Sequence, residues 1–339
     1  MTRPHVILGS GQVGPLLARR LVEEGKPVRV VRRSAAKASA RSGARSGVET
    51  VQADLTDPAQ AIEACTGAEV IYDCTNPASY ASWHRTLEPL KDGVFAAARA
   101  TGAFLVTLDN LYMYGQSEGP MSESSPVRPC STKGELRARI AGRLLEAFER
   151  GEIRGSIGRA ADFFGPGAGA MSLYGEPTIR SIAAGSRVMV IGDPTLPRSY
   201  SYVPDVVRGL ATLGAHTERS EGQVFHLPVA HKTESSNDLV SHFAGALGVP
   251  PRTYRLGRWF FRLVWPFSRD IAAVGEMLYQ WEKPFVVDDS RFVETFGIEA
   301  TPIARAVEET LEAAGLRANQ SSDASLALAK SQSGATGAR

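Results

Sequence analysis

The sequence predicts an α/β fold built on a doubly wound parallel sheet, and three observations carry that reading. Short apolar runs alternate with amphipathic stretches from Pro4 to Arg159. The first run, His5–Leu8, is followed at once by Gly9, Gly11 and Gly14 in G-x-G-x-x-G spacing. A second apolar run, Val28–Val31, comes after a helical stretch that Gly25 is placed to end. Sheets of this kind present ligands with a crevice beyond the carboxyl ends of their strands.

Each glycine of the first turn has its own task. Gly9 permits the tight turn, Gly11 lets a pyrophosphate approach the backbone, and Gly14 lets helix and strand pack closely. Gln12 and Val13 complete the turn, and the N–H groups at the helix start would face phosphate charge. Leu16, Leu17, Leu21 and Val22 supply the apolar period of the helix. Where the second strand ends, an NAD site usually presents an acidic residue to the ribose 2′-hydroxyl. Arg32 and Arg33 stand there instead, followed by Ser34, and guanidinium groups suit a 2′-phosphate. NADP is the expected cofactor, with NAD as second choice.

Val48–Gln52 reads as a third strand running into Ala53-Asp54-Leu55, and Asp57-Pro58 opens a short helix to Cys65. Glu69–Asp73 is a fourth strand, followed by Cys74-Thr75-Asn76-Pro77. A long helix over Ala81–Ala100 is reset by Gly102 for a fifth strand, Phe104–Leu108. After the loop Gly115–Cys130, Gly134–Arg150 is amphipathic and Ile153–Arg159 is a sixth strand. Residues 1–160 thus form a dinucleotide-binding domain, and residues 161–317 a smaller α/β substrate-binding region interleaved with it. In that region Phe163–Gly175 reads as loop, Arg187–Ile191 and Val224–Leu227 as strands, and Asp205–Leu213, Ser236–Leu247, Ile271–Tyr279 and Ile303–Ala314 as helices. Ala318–Arg339 has few apolar anchors and is expected to be a disordered tail.

Composition removes several function classes. A chain of 339 residues with 43% hydrophobic content can bury a large core. A net charge of +2 argues against nucleic acid as a partner. Three cysteines without C-x-x-C spacing argue against a disulfide framework or a zinc site, and point to a reducing cytoplasm. The histidines show no metal-ligand spacing, so no metal is expected. No apolar run approaches a membrane span, and the first strand begins too early for a signal peptide. The partner expected is a small-molecule substrate, with a homodimer as the assembly kept open.

From Pro4 to Ala314 the chain resembles an extended short-chain dehydrogenase/reductase, the superfamily of nucleotide-sugar epimerases, dehydratases and 3β-hydroxysteroid dehydrogenases. The resemblance is carried by the GSGQVG turn, Ala53-Asp54-Leu55, Leu111-Tyr112-Met113-Tyr114-Gly115, Phe164-Gly165-Pro166-Gly167 and Ser199-Tyr200-Ser201-Tyr202-Val203-Pro204-Asp205. It implies a Rossmann-type fold and chemistry at a hydroxyl or carbonyl carbon. It also implies Asp54 and Leu55 at the adenine, and Thr75 and Asn76 on the path to the nicotinamide ribose.

The catalytic positions depart from the family pattern. Asn110 stands where members carry serine or threonine, Lys133 replaces the tyrosine, and Arg137 replaces the lysine four residues on. Asn110 can hydrogen-bond as serine does but cannot share a proton. A lysine can do proton work where its surroundings favour the neutral amine, and Arg137, one turn away, is the neighbour expected to favour it. Arg137 is also expected to take over the ribose contact alongside Lys133. Tyr112 and Tyr114 are the reserve phenols. The reading is an NAD(P)-dependent oxidoreductase or epimerase with a non-standard active site. The alternative is a non-catalytic NADP(H)-binding sensor in which Lys133 and Arg137 only bind phosphate or solvent.

Two features stand apart. Tyr279–Lys283 spells Y-x-x-x-K outside its expected context and reads as a chance match. Arg258–Phe267 packs Trp259, Phe260, Phe261, Trp265 and Phe267 between arginines. It could wall a substrate pocket, touch a membrane surface or lay an apolar stripe on the core.

Overall fold

Seven parallel strands form the central sheet, and the chain reaches them in the order that a doubly wound fold requires. The first half runs β1 (His5–Leu8), α1 (Gly14–Glu23), β2 (Val28–Arg32), β3 (Val48–Gln52), α2 (Pro58–Cys65), β4 (Val70–Asp73), α3 (Trp83–Thr101), β5 (Phe104–Asp109), α4 (Thr132–Glu149) and β6 (Gly155–Arg159). The second half continues with β7 (Asp162–Phe164), α5 (Glu176–Ala183), β8 (Val188–Ile191), β9 (Tyr200–Tyr202), α6 (Val203–Ala215), α7 (Thr217–Ser220), β10 (Val224–His226), α8 (Ser236–Leu247), β11 (Thr253–Leu256), α9 (Arg258–Val264), α10 (Arg269–Gly275), α11 (Ser290–Phe296) and α12 (Ile303–Ala313). The computed structural model describes residues 2–33, 47–77, 79–169, 172–230, 233–264 and 269–316. Ser34 and the expected disordered tail Ala318–Arg339 lie outside the described residues.

The sheet order is β10-β6-β5-β4-β1-β2-β3, with every pairing parallel. β1 and β4 are buried at every position because helices cover both faces of the sheet. Alternation divides β1 between two cores: Val6 and Leu8 face α2, α3 and α4, while Ile7 faces α1 and α6. Leu17 and Leu21 of α1 share their core with Val206, Leu210 and Leu213 of α6. Asp57 caps α2 by accepting from Ala59 N, and Ser131 caps α4 by accepting from Gly134 N at 3.0 Å.

Three assignments in the second half differ in the structure, and the sequence reading leaves α5, α7, β11 and α11 unassigned. β10 does not stay apart but pairs with β6, Val224 opposite Ile157, and so extends the first sheet. The stretch expected as loop over Phe163–Gly175 begins inside β7, which pairs with β9. β7 is three residues long and opens a glycine-rich stretch, so alternation does not set it apart from the loop. Ile271–Tyr279, expected as one helix, is α10 ending at Gly275 and then a 3₁₀ turn over Leu278–Trp281. Glycine's low helix propensity places the break.

Candidate cofactor and active site

The strand order reverses between β1 and β4, which opens a crevice at their carboxyl ends. Gly9 sits there at φ +97°, and a Cβ on it would lie 3.1 Å from the Cys74 carbonyl oxygen. A Cβ on Gly14 would lie 2.1 Å from the Gly9 carbonyl oxygen, so no side chain fits. Gly11 is the opposite case, with nothing within 4 Å of the place its Cβ would take. Two glycines are therefore needed by the fold, while the third keeps an open cradle. No side chain caps the N-terminus of α1, which leaves its first N–H groups to an incoming group. Val13 is the N-cap residue, and Gln12 is backed by Gly167 and Gly169 from the second half.

At the end of β2 the Arg32 Nε is buried without a hydrogen-bond partner among the described residues. Arg33 is exposed, and its carbonyl accepts from Gln52 Nε2 at 3.1 Å. The Asp54 carboxylate accepts from Thr56 N at 3.0 Å and Thr56 Oγ1 at 2.8 Å, which holds its pKa below the usual carboxylate value. Leu55 is buried in the core, its carbonyl against Gly93 of α3. The cradle and the orphaned guanidinium nitrogen are features that a dinucleotide carrying phosphate would satisfy.

Two buried ion pairs brace the carboxyl ends of the strands. Asp73 closes β4 and pairs with Lys91 of α3 at 2.6 Å, both side chains essentially without solvent contact. Lys91 also donates to the Thr75 carbonyl at 3.0 Å, and the Thr75 hydroxyl bonds Asp73. Burial holds the Lys91 pKa below its ordinary value. Asp109 closes β5 and meets two guanidinium groups, Arg137 at 3.2 Å and Arg159 at 3.6 Å. Arg137 also donates to Asn76 Oδ1 at 2.7 Å and stacks over Trp83, 4.6 Å from the ring centre. This one side chain ties the head of α4 to the ends of both β4 and β5.

Lys133, on the first turn of α4, meets a carboxylate rather than the cation expected for it. Its Nζ is ion-paired with Glu276, and it lies 5.4 Å from the centre of the Tyr80 ring. Glu276 also accepts from Thr132 Oγ1 at 2.6 Å. Arg137 is turned away into its bonds with Asp109 and Asn76. Asn110 Oδ1 accepts from Tyr112 N at 3.1 Å, so the side-chain oxygen is spent on its own loop.

Both reserve phenols are engaged. Tyr112 OH and Tyr80 OH are 2.6 Å apart, and burial raises the pKa of each. Tyr114 OH accepts from Arg159 Nη1 at 2.6 Å and lies 2.8 Å from His226 Nε2. Burial drives the His226 pKa down to about 4. Tyr279 takes a place the sequence did not foresee. It lies by the cap of α4, its buried hydroxyl beside Ser131. With Glu276, Cys130 and Gln116 it lines a cavity of about 320 Å³ at the flank of the site.

Glu276, Tyr80, Trp83 and Arg159 escaped sequence reasoning because none has a local signal. Each reaches the site from an element distant in the chain. Among the described residues, no group of histidine, cysteine and carboxylate side chains is arranged to hold a metal, and no helix is long and apolar enough to cross a membrane.

Residues 6–227 of the chain match a known family model, that of the NAD dependent epimerase/dehydratase family. The chain belongs to that family. Solved structures of the same fold include MoeE5 in complex with UDP-glucose and NAD, at a TM-score of 0.70 and 21% identity, covering 91% of this chain and 98% of that one. UDP-glucuronic acid 4-epimerase from Bacillus cereus, in complex with NAD, matches at 0.70 and 15%, covering 92% and 98%. A nucleoside-diphosphate-sugar epimerase from Pseudomonas aeruginosa matches at 0.69 and 16%, covering 92% and 97%. At these identities the likeness is one of fold. Among curated protein sequences, none matches closely enough to carry an inference.

Proposed function

We propose that this member is a nicotinamide-dinucleotide-dependent oxidoreductase or epimerase acting at a hydroxyl- or carbonyl-bearing carbon of a small molecule. The observation that carries the reading is the position of Arg137. Through Asn76 and Asp109 it fixes the head of α4, and with it Lys133, at the end of the sheet where the Gly9–Gly14 turn lies. A nicotinamide dinucleotide held there would supply a two-electron acceptor or donor for the substrate carbon. The backbone of Gly9, Gly11, Gln12, Val13 and Gly14 would hold its pyrophosphate, Asp54 and Leu55 its adenine end, and Thr75, Asn76 and Lys133 its nicotinamide ribose. Arg32 and Arg33 favour NADP(H) over NAD(H), a preference supported by the partnerless Nε of Arg32.

Lys133 is the group assigned to hold or release the proton at the substrate oxygen, with Glu276 as its counter-ion. Asn110 is assigned to donate its amide N–H to that oxygen, and Arg137 acts as a positioning residue through Asp109 and Asn76. Tyr112 and Tyr114 are assigned supporting positions, because their hydroxyls already have partners. Residues 1–160 serve the cofactor and residues 161–317 the substrate, and the three free cysteines suit a reducing cytoplasm.

One observation favours a second reading, a cofactor-binding sensor without turnover. Lys133, Tyr112 and Tyr114 all have partners within the protein. A screen of alcohols, carbonyl compounds and nucleotide sugars, read by NADPH oxidation, NADP reduction and, for epimerisation without net redox change, by analysis of the sugar product, separates the two. Substrate-dependent turnover that Lys133→Met abolishes even at saturating cofactor supports the enzyme. Cofactor binding without turnover across the panel supports the sensor.

A further inference from the structure

Four large apolar side chains stand out as exposed among the described residues, and three of them, Tyr254, Trp259 and Leu263, fall within ten positions of one another. Trp259 is 67% exposed and Leu263 64%, although α9 turns Phe261 into the core and packs Phe260 against it. One turn of helix separates Trp259 from Leu263, so both lie on the outward face of α9. Tyr254 is exposed in β11, and Arg252 is exposed just before that strand. The Trp259 ring lies against Gly257, the residue between β11 and α9, 3.4 Å from where its Cβ would be. Tyr254, Trp259 and Leu263 thus make an exposed apolar band over two consecutive elements.

The rim of the band is basic. β11 pairs with β8 in a register that puts Thr253 opposite Val188, so Arg187 and Arg252 stand side by side at the strand starts. They line an open cleft of about 520 Å³. Both are exposed, and neither has an acidic partner among the described residues. Arg258 is paired with Glu282, and Arg255 lies near Asp193, so the uncompensated charge is at the Arg187–Arg252 end.

We propose that this band is a peripheral docking surface for an anionic lipid bilayer. Trp259 and Leu263 would enter the headgroup–acyl boundary, and Arg187 and Arg252 would bind headgroup phosphate. Tryptophan suits that boundary because its apolar ring and N–H sit well where one side is dry and the other wet. A second copy of the chain is a poorer occupant. A two-fold contact sets residue i of the patch against residue j of the same patch, and none of its residues is acidic, so Arg187 and Arg252 would find no counter-charge there. The proposal is independent of the reading of the active site.

The test is co-sedimentation of the full chain with vesicles of phosphatidylcholine, with and without about one-third phosphatidylserine. Binding to the anionic vesicles is expected, weakened by salt, with a blue shift in tryptophan emission. A Trp259→Ser/Leu263→Ser variant, checked for an unchanged melting temperature, is expected to bind roughly tenfold more weakly or worse and to lose the blue shift. Arg187→Glu/Arg252→Glu is expected to remove the preference for phosphatidylserine. The proposal is overturned if the parent chain ignores anionic vesicles, or if the serine variant binds them as the parent does. It is overturned equally if gel filtration shows that the serine variant splits a dimer while neither form binds vesicles.

Discussion

Glu276 forms an ion pair with Lys133 from 143 positions further along the chain, and it holds Thr132 with its other carboxylate oxygen. One side chain thus clamps the start of α4 to the segment after α10. Removing it leaves a largely buried ammonium without a counter-ion. Glu276→Ala is expected to lower stability by about 1–3 kcal/mol, less than for a fully buried pair because the carboxylate keeps some solvent. Glu276→Gln retains the acceptor for Thr132 and should cost less. Urea midpoints of the two variants check this, and an unchanged midpoint for the alanine variant would show that the clamp contributes nothing.

The three glycines of the first turn should respond differently to one methyl group. Gly14→Ala drives a Cβ into the Gly9 carbonyl, a backbone atom that cannot step aside, and is expected to disrupt the turn and lower the melting temperature sharply. Gly11→Ala meets open space and should leave stability nearly unchanged. Its methyl would occupy the cradle, weakening cofactor binding by roughly tenfold, a matter of about 1.4 kcal/mol. Thermal melts paired with cofactor titrations separate the effects. A Gly11→Ala chain that binds either cofactor like the parent would remove the cradle from the assignment.

In the proposed function, Arg32 sets the cofactor choice. Tighter binding of NADP(H) than NAD(H) is expected, with Arg32→Glu reversing the order. A charge-assisted hydrogen bond from this guanidinium to the 2′-phosphate is worth about 1.5–3 kcal/mol, roughly ten- to a hundred-fold in affinity. Calorimetric titration of both cofactors into both proteins decides it, and equal affinities in the parent would refute the preference.

His226 links stability to pH. Its folded pKa, depressed to about 4 by burial, lies below the unfolded value near 6.5. Between these two values the unfolded chain binds the extra proton, so stability falls as pH drops through the window and is fully restored above it. The contribution is about 3 kcal/mol at most. Urea unfolding of the parent and of His226→Gln from the upper to the lower end of that window should show a steeper pH dependence in the parent. Parallel curves would mean that the histidine does not titrate differently on folding.

Much of the fold was legible because its information is local. His5–Leu8, Gly9, Gly11, Gly14 and the helix after them act on neighbours a few residues away, so spacing alone predicts a strand, a turn and a helix. The same holds for Val48–Gln52 and for Ser236–Leu247, whose bounds in the structure match the sequence reading. β7 and β9 were not legible, since three residues carry too little pattern and each depends on the other for its hydrogen bonds.

The sequence by itself determined the doubly wound sheet and the glycine turn after its first strand, and through the family resemblance it offered Asn110, Lys133 and Arg137 as catalytic candidates. Only the tertiary structure decided what those residues face. Arg137 turns to Asp109 and Asn76, Lys133 to Glu276, and Tyr112 to Tyr80, across separations of 28, 61, 143 and 32 residues. The physical reason is that periodicity and turn chemistry act through adjacent bonds. The charge and hydrogen bonding of a site are set by groups that meet only when distant strands and helices close on one another.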